Sequence, residues 1–355
     1  MSETIATPAA PGAQRLEFTG TGGEYFRIWI VNLALTILTL GIYSAWAKVR
    51  RLKYFYGSTR LAGHAFDYHG NPIAILKGRI IGVLALLAYG AIAQFVPAAA
   101  AILGIAYVVV VPWIVTRARL FQMRMTSYRG VRFDFEPDYG GAFKTIFLAP
   151  ILVVFSLGLA APWAVRLRYQ WLIDNTAYGN TWFRLETGLK PIAFMLLRTL
   201  GVAIVIGLVA VGAVMAMGLL VGTVRSPFDN AEAGFLVFVV LLYLPVLLGG
   251  YVLYAYWRRS VLNLMLPATQ AGPVRLACAL SARRLAWIYA TNALGIVLTL
   301  GLFLPWAQVR AAKYLLENTG VSDTGALDGF IATETERTSA VGEEVGELFD
   351  VDIGL

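Results

Sequence analysis

Seven apolar segments dictate the solvent in which this chain folds. They run over residues 25–46, 80–96, 101–115, 143–163, 192–221, 235–257 and 285–306. At about 1.5 Å of rise per residue, all but the second and third reach the hydrocarbon thickness of a bilayer, for which roughly 20 residues suffice. Those two are shorter, and the break at Pro97 between them suits a tight helical hairpin. Charged residues make up 14% of the chain against 58% hydrophobic, and mean hydropathy is +0.68. A soluble domain carries about a quarter of its residues as charges, so this chain has too few to keep its surface wet. The expected fold class is an all-α integral membrane protein with about seven hydrophobic helical segments. The lone Cys278 excludes an internal disulfide. No basic stretch followed by an apolar core opens the chain, so no cleavable signal peptide is expected.

Basic residues crowd alternate loops. Lys48, Arg50, Arg51, Lys53, Arg60, Lys77 and Arg79 separate the first two segments, and Arg117, Arg119, Arg124, Arg129, Arg132 and Lys144 follow the third. The link between segments two and three bears no charge, and that between five and six bears Arg225 alone among basic residues. Because cytoplasmic loops accumulate Lys and Arg, the crowded loops belong in the cytoplasm. Residues 321–355 reverse the trend, with nine acids against Arg337, a net −8 beside a body of +16. This reads as an acidic cytoplasmic tail, and residues 1–15, rich in Ala and Pro, as a disordered lead-in.

The segments are also copies of one another. Segment one ends Leu40-Gly41 … Trp46-Ala47-Lys48-Val49-Arg50 and segment seven ends Leu300-Gly301 … Trp306-Ala307-Gln308-Val309-Arg310. The match continues through Lys53/Lys313, Tyr54/Tyr314 and Thr59/Thr319. Segment four repeats it as Leu157-Gly158, Trp163, Arg166, Trp171 and Thr176, and segment three as Trp113, Arg117, Phe121 and Thr126. Segment six, ending Tyr256-Trp257-Arg258-Arg259, is a degraded copy. This divides the chain into one unit over 16–141, a second over 142–284 and a partial third over 285–320. Trp at the end of an apolar helix suits the headgroup level, and Arg beyond it reaches lipid phosphates with its stem in the interface. Between copies, Phe66-Asp67-Tyr68, Phe133-Asp134-Phe135 and Trp182-Phe183-Arg184-Leu185 alternate with period two, which predicts short extramembrane strands or hairpins on the cytoplasmic side.

Two arrangements satisfy these observations. If segments one, four and seven cross, the basic loop 164–191 lies opposite the basic loop after segment three. If they bend at Gly41, Gly158 and Gly301 and return, all basic loops share one side; irregular backbone at depth then needs cover from protein or water.

The pattern Leu-Gly, then Trp-Ala-x-Val-Arg, then Thr59, Gly63, Phe66 and Gly70 resembles the YjgN-like family of bacterial inner-membrane proteins. The ending Gly342-Glu343-Glu344 … Phe349-Asp350-Val351-Asp352-Ile353-Gly354-Leu355 is similar to that family's C-terminus. The resemblance implies a multi-pass protein of the bacterial inner membrane and brings no catalytic residue or substrate.

The candidate functional residues fall into two groups. The interface set is Trp46, Arg50, Trp113, Arg117, Trp163, Arg166, Trp306 and Arg310, whose expected partners are anionic lipid headgroups rather than nucleic acid. The intramembrane polar set is Asn32, Thr36, Gln94 and Asn292, which either bond between helices or line a solute path. No phosphate-binding loop, metalloprotease helix or nucleophile elbow is present, so neither catalysis nor a cofactor is expected. His64 and His69 flank Asp67 in one loop, too little for an expected metal site. Two functions follow: a transporter or channel-like protein for a small solute or lipid, with its cavity between repeated units, or a non-catalytic scaffold that organises lipids and docks a protein partner through the acidic tail.

Overall fold

The computed structural model describes residues 14–223, 231–321 and 328–336. Polar caps start the first helices where the apolar runs begin. Thr21 accepts from the Glu24 N–H while the Glu24 carboxylate accepts from the Thr21 N–H, a reciprocal cap that opens α1 (Gly22–Leu38). After a tight turn comes α2 (Ser44–Gly57). Asn71, followed by Pro72, caps α3 (Pro72–Phe95), and α4 (Pro97–Arg124) returns beside it. The third pair comprises α5 (Tyr139–Phe143), a π-helical stretch (Lys144–Leu148), α6 (Ala149–Phe155) and, after a turn, α7 (Ala161–Asp174). The fourth is α8 (Leu189–Thr223) with α9 (Ala231–Met265), and the fifth α10 (Ala282–Leu298) with α11 (Leu304–Glu317).

Between the helical pairs lie β-hairpins: β3 (Thr59–Leu61) with β4 (His64–Tyr68), β5 (Thr126–Tyr128) with β6 (Val131–Phe135), β7 (Thr176–Tyr178) with β8 (Thr181–Leu185), and β9 (Thr269–Ala271) with β10 (Val274–Cys278). The chain begins with β1 (Gln14–Arg15) and β2 (Glu17–Phe18), and β11 (Thr319–Val321) follows the last helix. All eleven strands form one antiparallel sheet whose two ends are β1, paired with β11, and β2, paired with β3. Only Leu16 separates β1 from β2, and its N–H donates to Thr319 O at 2.8 Å. The two ends of the sheet thus meet in the single stretch 14–18, whose first half bonds β11 and whose second half bonds β3, so that the sheet curls into a nearly closed ring.

The ring is tied to its helices by one repeated bond. The hydroxyls of Thr59, Thr126, Thr176, Thr269 and Thr319 donate to the carbonyls of Phe55, Gln122, Leu172, Met265 and Leu315 at 2.7–3.0 Å. Each satisfies a carbonyl at the end of a second helix while its own backbone starts a strand. Inside the ring, Leu61, Tyr128, Val131, Tyr178, Val274 and Val321 pack into a core. The Tyr128 hydroxyl donates to Leu61 O (2.6 Å) and the Tyr178 hydroxyl to Tyr128 O (3.0 Å), linking successive hairpins. A short helix, α12 (328–336), seats Phe330 and Ile331 on this core.

This architecture corrects the all-α, seven-segment expectation. The sheet is a structural element equal in order to the helices, and three described helices are long and apolar enough to cross a membrane: Pro72–Phe95, Ala101–Arg124 and Leu189–Ala216. The apolar runs 25–46, 143–163 and 285–306 each contain a reversal. Leu40, Leu157 and Leu300 adopt φ near +50° and Gly41, Gly158 and Gly301 φ of +91° to +94°. The glycine N–H groups donate back to Thr36, Val153 and Ile296 carbonyls at 2.7–2.8 Å. Thr39, Ser156 and Thr299 then accept from the N–H of Tyr43, Ala160 and Phe303 at 2.9 Å each. An apolar length was thus a poor guide, because in these runs it covers both limbs of a turn. Residues 1–13 and most of the acidic tail, including the motif ending at Leu355, lie outside the described residues.

Candidate functional site

The second helix of each pair carries an aromatic ring at a fixed height above the sheet. Trp46, Trp113, Trp163, Tyr256 and Trp306 each stand thirteen residues before the threonine that opens the next strand. In a helix that places them about 20 Å from the ring. Trp113 is 52% exposed and lies under the Arg117 guanidinium at 5.9 Å. Trp306 stacks on Phe26 at 4.8 Å, and Trp46 on Tyr43 at 6.0 Å. The arginines follow: Arg50 donates to the Tyr43 hydroxyl (3.0 Å) and Arg310 to the Thr291 hydroxyl (2.8 Å), whereas Arg166 Nε is buried without a partner. The common offset puts Trp46, Trp113, Trp163 and Trp306 at one height on their helices, with Arg50, Arg117 and Arg310 one turn nearer the sheet and Arg166 three residues on. Beyond this rim, the tips at Leu40, Leu157 and Leu300 are 95% exposed apolar side chains only six residues from Trp46, Trp163 and Trp306.

The polar residues of the apolar segments separate. Asn32 and Thr36 line an open chamber of about 350 Å³ with Tyr25, Trp29, Ser44, Lys48, Arg51, Arg79 and Gln308. Thr36 donates to Asn32 O (2.6 Å), and Asn32 Oδ1 has no partner although the residue is 7% exposed. Asn292 does not line that chamber; its amide donates to Ala307 O (3.0 Å), joining α10 to α11. Gln94 is exposed near the far end of α3, remote in sequence position from the rim.

Lys48 and Arg51 also line a second, adjoining chamber of about 650 Å³, with Arg119, Gln122, Tyr68, Trp171 and an apolar wall that includes Ile75, Ile114 and Val115. Among the described residues no Asp or Glu lines either chamber, and none of Lys48, Arg51, Arg79 and Arg119 pairs with a described carboxylate. Arg79 donates to the Ser44 hydroxyl, and Arg119 Nε is buried without a partner. Desolvation, then the nearby Arg79 and Arg51 charges, holds the Lys48 ammonium below its ordinary pKa. Crowding of like charge at the rim of an apolar region marks a place adapted to an anion. Sequence reasoning placed these cations in the basic flanks without singling them out. Arg51 is one residue past the expected Arg50, and the turn of the helix sets it, still exposed, at the wall of both open chambers.

Sequence reasoning also missed Glu334. It is fully buried on α12 and accepts from Asn180 N–H and the Thr181 hydroxyl at 2.6 Å each. Asp328 pairs with Arg129 at 2.7 Å. His69 meets the Ser127 hydroxyl and His64 the Ala62 carbonyl, so the two histidines have separate surroundings. Among the described residues no cluster of three or more metal-binding side chains forms.

The model of a family described as bacterial protein of unknown function (DUF898) matches residues 13–348. The chain belongs to this DUF898 family. It is 26% identical to the inner membrane protein YjgN of Salmonella typhimurium over 369 aligned residues, covering 91% of each chain. It is 32% identical to the YjgN proteins of Escherichia coli O157:H7 and K12 over 144 residues, 40% of this chain and 36% of theirs. The resemblance read from the Trp-Arg motif therefore holds over nearly the whole chain, and the protein is one of the bacterial inner membrane. No solved structure matches it.

Proposed function

We propose that this inner-membrane protein is a non-catalytic module that gathers anionic lipids around its β-ring. The observation that carries the reading is the rim: aromatic rings at one height on five second helices, with guanidinium groups beside them, of which Arg50, Arg117 and Arg310 pair with no described carboxylate. Trp fixes the depth of each helix, and each basic residue near an anionic surface contributes about 1 kcal/mol. The apolar tips enter the acyl region beside the longer spanning helices, and the basic face puts the ring in the cytoplasm. Repeated helix-turn-helix and β-hairpin units would then present the same lipid-facing chemistry in every direction. The transport reading has less support, because its polar residues do not share one path: Asn32 and Thr36 line a chamber that neither Gln94 nor Asn292 reaches, and the Asn292 amide is used on Ala307 O. A docking role for the acidic tail draws no support from its described part, whose Glu334 and Asp328 are engaged by the chain itself.

Lipid analysis of the full-length protein extracted in native copolymer discs tests this. The triple variant Arg50→Gln, Arg117→Gln, Arg310→Gln should lose the wild type's enrichment in phosphatidylglycerol and cardiolipin by about fivefold or more, as expected when terms of about 1 kcal/mol each are removed. Unchanged enrichment would overturn the proposal.

A further inference from the structure

We infer that the two chambers around α2, the smaller bounded by α1, α3 and α11 and the larger by α3, α4 and α7, form one binding site for a phospholipid headgroup that carries both a phosphate and a hydroxyl, as a glycerol phosphodiester does. This deepens the interfacial reading and rests on it, but it concerns different residues.

Three observations converge. First, Lys48 and Arg51 stand at the junction of the chambers, with Arg79 on one side and Arg119 on the other, and no described carboxylate neutralises them. A compact ammonium with planar guanidinium forks suits a phosphate, which accepts bonds from several directions at once. Second, Asn32 is more than nine-tenths buried, lines the smaller chamber and holds an acceptor oxygen with no partner. A buried acceptor left open costs free energy, and a phosphate cannot close it, having no proton to give as a diester. A hydroxyl beside the phosphate can. Third, the larger chamber is walled on one side by Ile75, Ile114 and Val115 of the α3–α4 pair, whose helices expose apolar side chains to the bilayer. A ligand held at the cations has its chains continue along that wall into lipid, which favours an amphiphile over a soluble anion.

The test is binding to the purified full-length protein in a neutral detergent, measured by calorimetry with three probes. These are dihexanoyl phosphatidylglycerol, dihexanoyl phosphatidylcholine and glycerol 3-phosphate. The phosphatidylglycerol should bind at least tenfold more tightly than the phosphatidylcholine. Arg119→Gln should weaken it about tenfold, the loss of one charge-assisted contact, and Lys48→Gln/Arg51→Gln, which removes two, about a hundredfold. Asn32→Leu should weaken it while leaving the cations in place, and Arg132→Gln on the ring should not change it. Size-exclusion profiles identify any variant that fails to fold, and Arg119→Gln keeps the test alive if the double variant does. Equal affinity for the two lipids, or affinity unchanged in both sets of cation variants, would overturn the inference. Glycerol 3-phosphate binding as tightly at the same residues keeps the site and assigns it a soluble ligand. Binding that persists while the rim variants leave lipid enrichment unchanged would separate this site from the interfacial proposal and sink only the latter.

Discussion

At the scale of single residues, the best-defined devices are the five threonines at the joints between helix and strand. Each hydroxyl bonds a carbonyl four residues back, at the place where the helix would otherwise leave an acceptor open. Thr176 is 6% exposed, so its bond to Leu172 O has little water to replace it. Thr176→Val keeps the shape and removes the donor. It should lower stability by about 1 kcal/mol in thermal unfolding of the detergent-solubilised protein, the net worth of one buried bond, and an unchanged midpoint would refute that role. Thr59, Thr126, Thr176 and Thr319 were visible in the sequence as aligned copies, although nothing there revealed what their hydroxyls do. Thr269, in the degraded copy, was not. Glu334 was illegible for a different reason: it sits in a run of acids that composition assigns to solvent. Its burial depends on Gly179, where an added Cβ would come within 2.4 Å of the Glu334 carboxylate.

At the scale of elements, the three short helical pairs are decided by their turns. The sequence left a choice between crossing and returning, since an apolar run of some twenty residues fits either a straight span or two short limbs. The Leu-Gly pair resolves it, because backbone at φ above +90° is strained for any side chain and suits glycine. Gly158→Ala should therefore destabilise the protein, by on the order of 1–3 kcal/mol for a residue forced into such a region. Gly82 on α3 has ordinary helical backbone and open space around it. Gly82→Ala should cause no loss and can gain up to about 1 kcal/mol of helix propensity. The same unfolding measurement on both variants separates a turn requirement from a general sensitivity of glycines; equal losses would show that the turn is not the cause. The long pairs needed no such device, and the Pro97 break between α3 and α4 was legible from hydropathy; their lengths were not, because the runs 80–96 and 101–115 read as too short to cross, whereas the helices extend over Pro72–Phe95 and Pro97–Arg124 by taking in the polar and basic residues that flank those runs.

At the scale of the whole molecule, the ring was the part the sequence concealed. Alternation announced the strands around Phe66–Tyr68, Phe133–Phe135 and Trp182–Leu185, but β3, β5, β7, β9 and β11 are three residues each, too short for a period to show, and the closure joins β1 to β11 across almost the entire chain. Yet the closure has a consequence that topology can measure. β6 pairs with β7 through Phe133 and Tyr178, so the hairpins on either side of the third helical pair must lie in one compartment. Seven crossings would put them on opposite faces of the membrane. Single cysteines at Arg132 and Trp182, both exposed on neighbouring hairpins, provide the comparison in a chain whose Cys278 has been changed to Ser. In oriented vesicles a membrane-impermeant maleimide should label both from the same side and neither from the other. Labelling from opposite sides would break the β6–β7 pairing and with it the ring. The same-side result also places every rim arginine on one leaflet, which is the geometry that lipid recruitment by the rim requires.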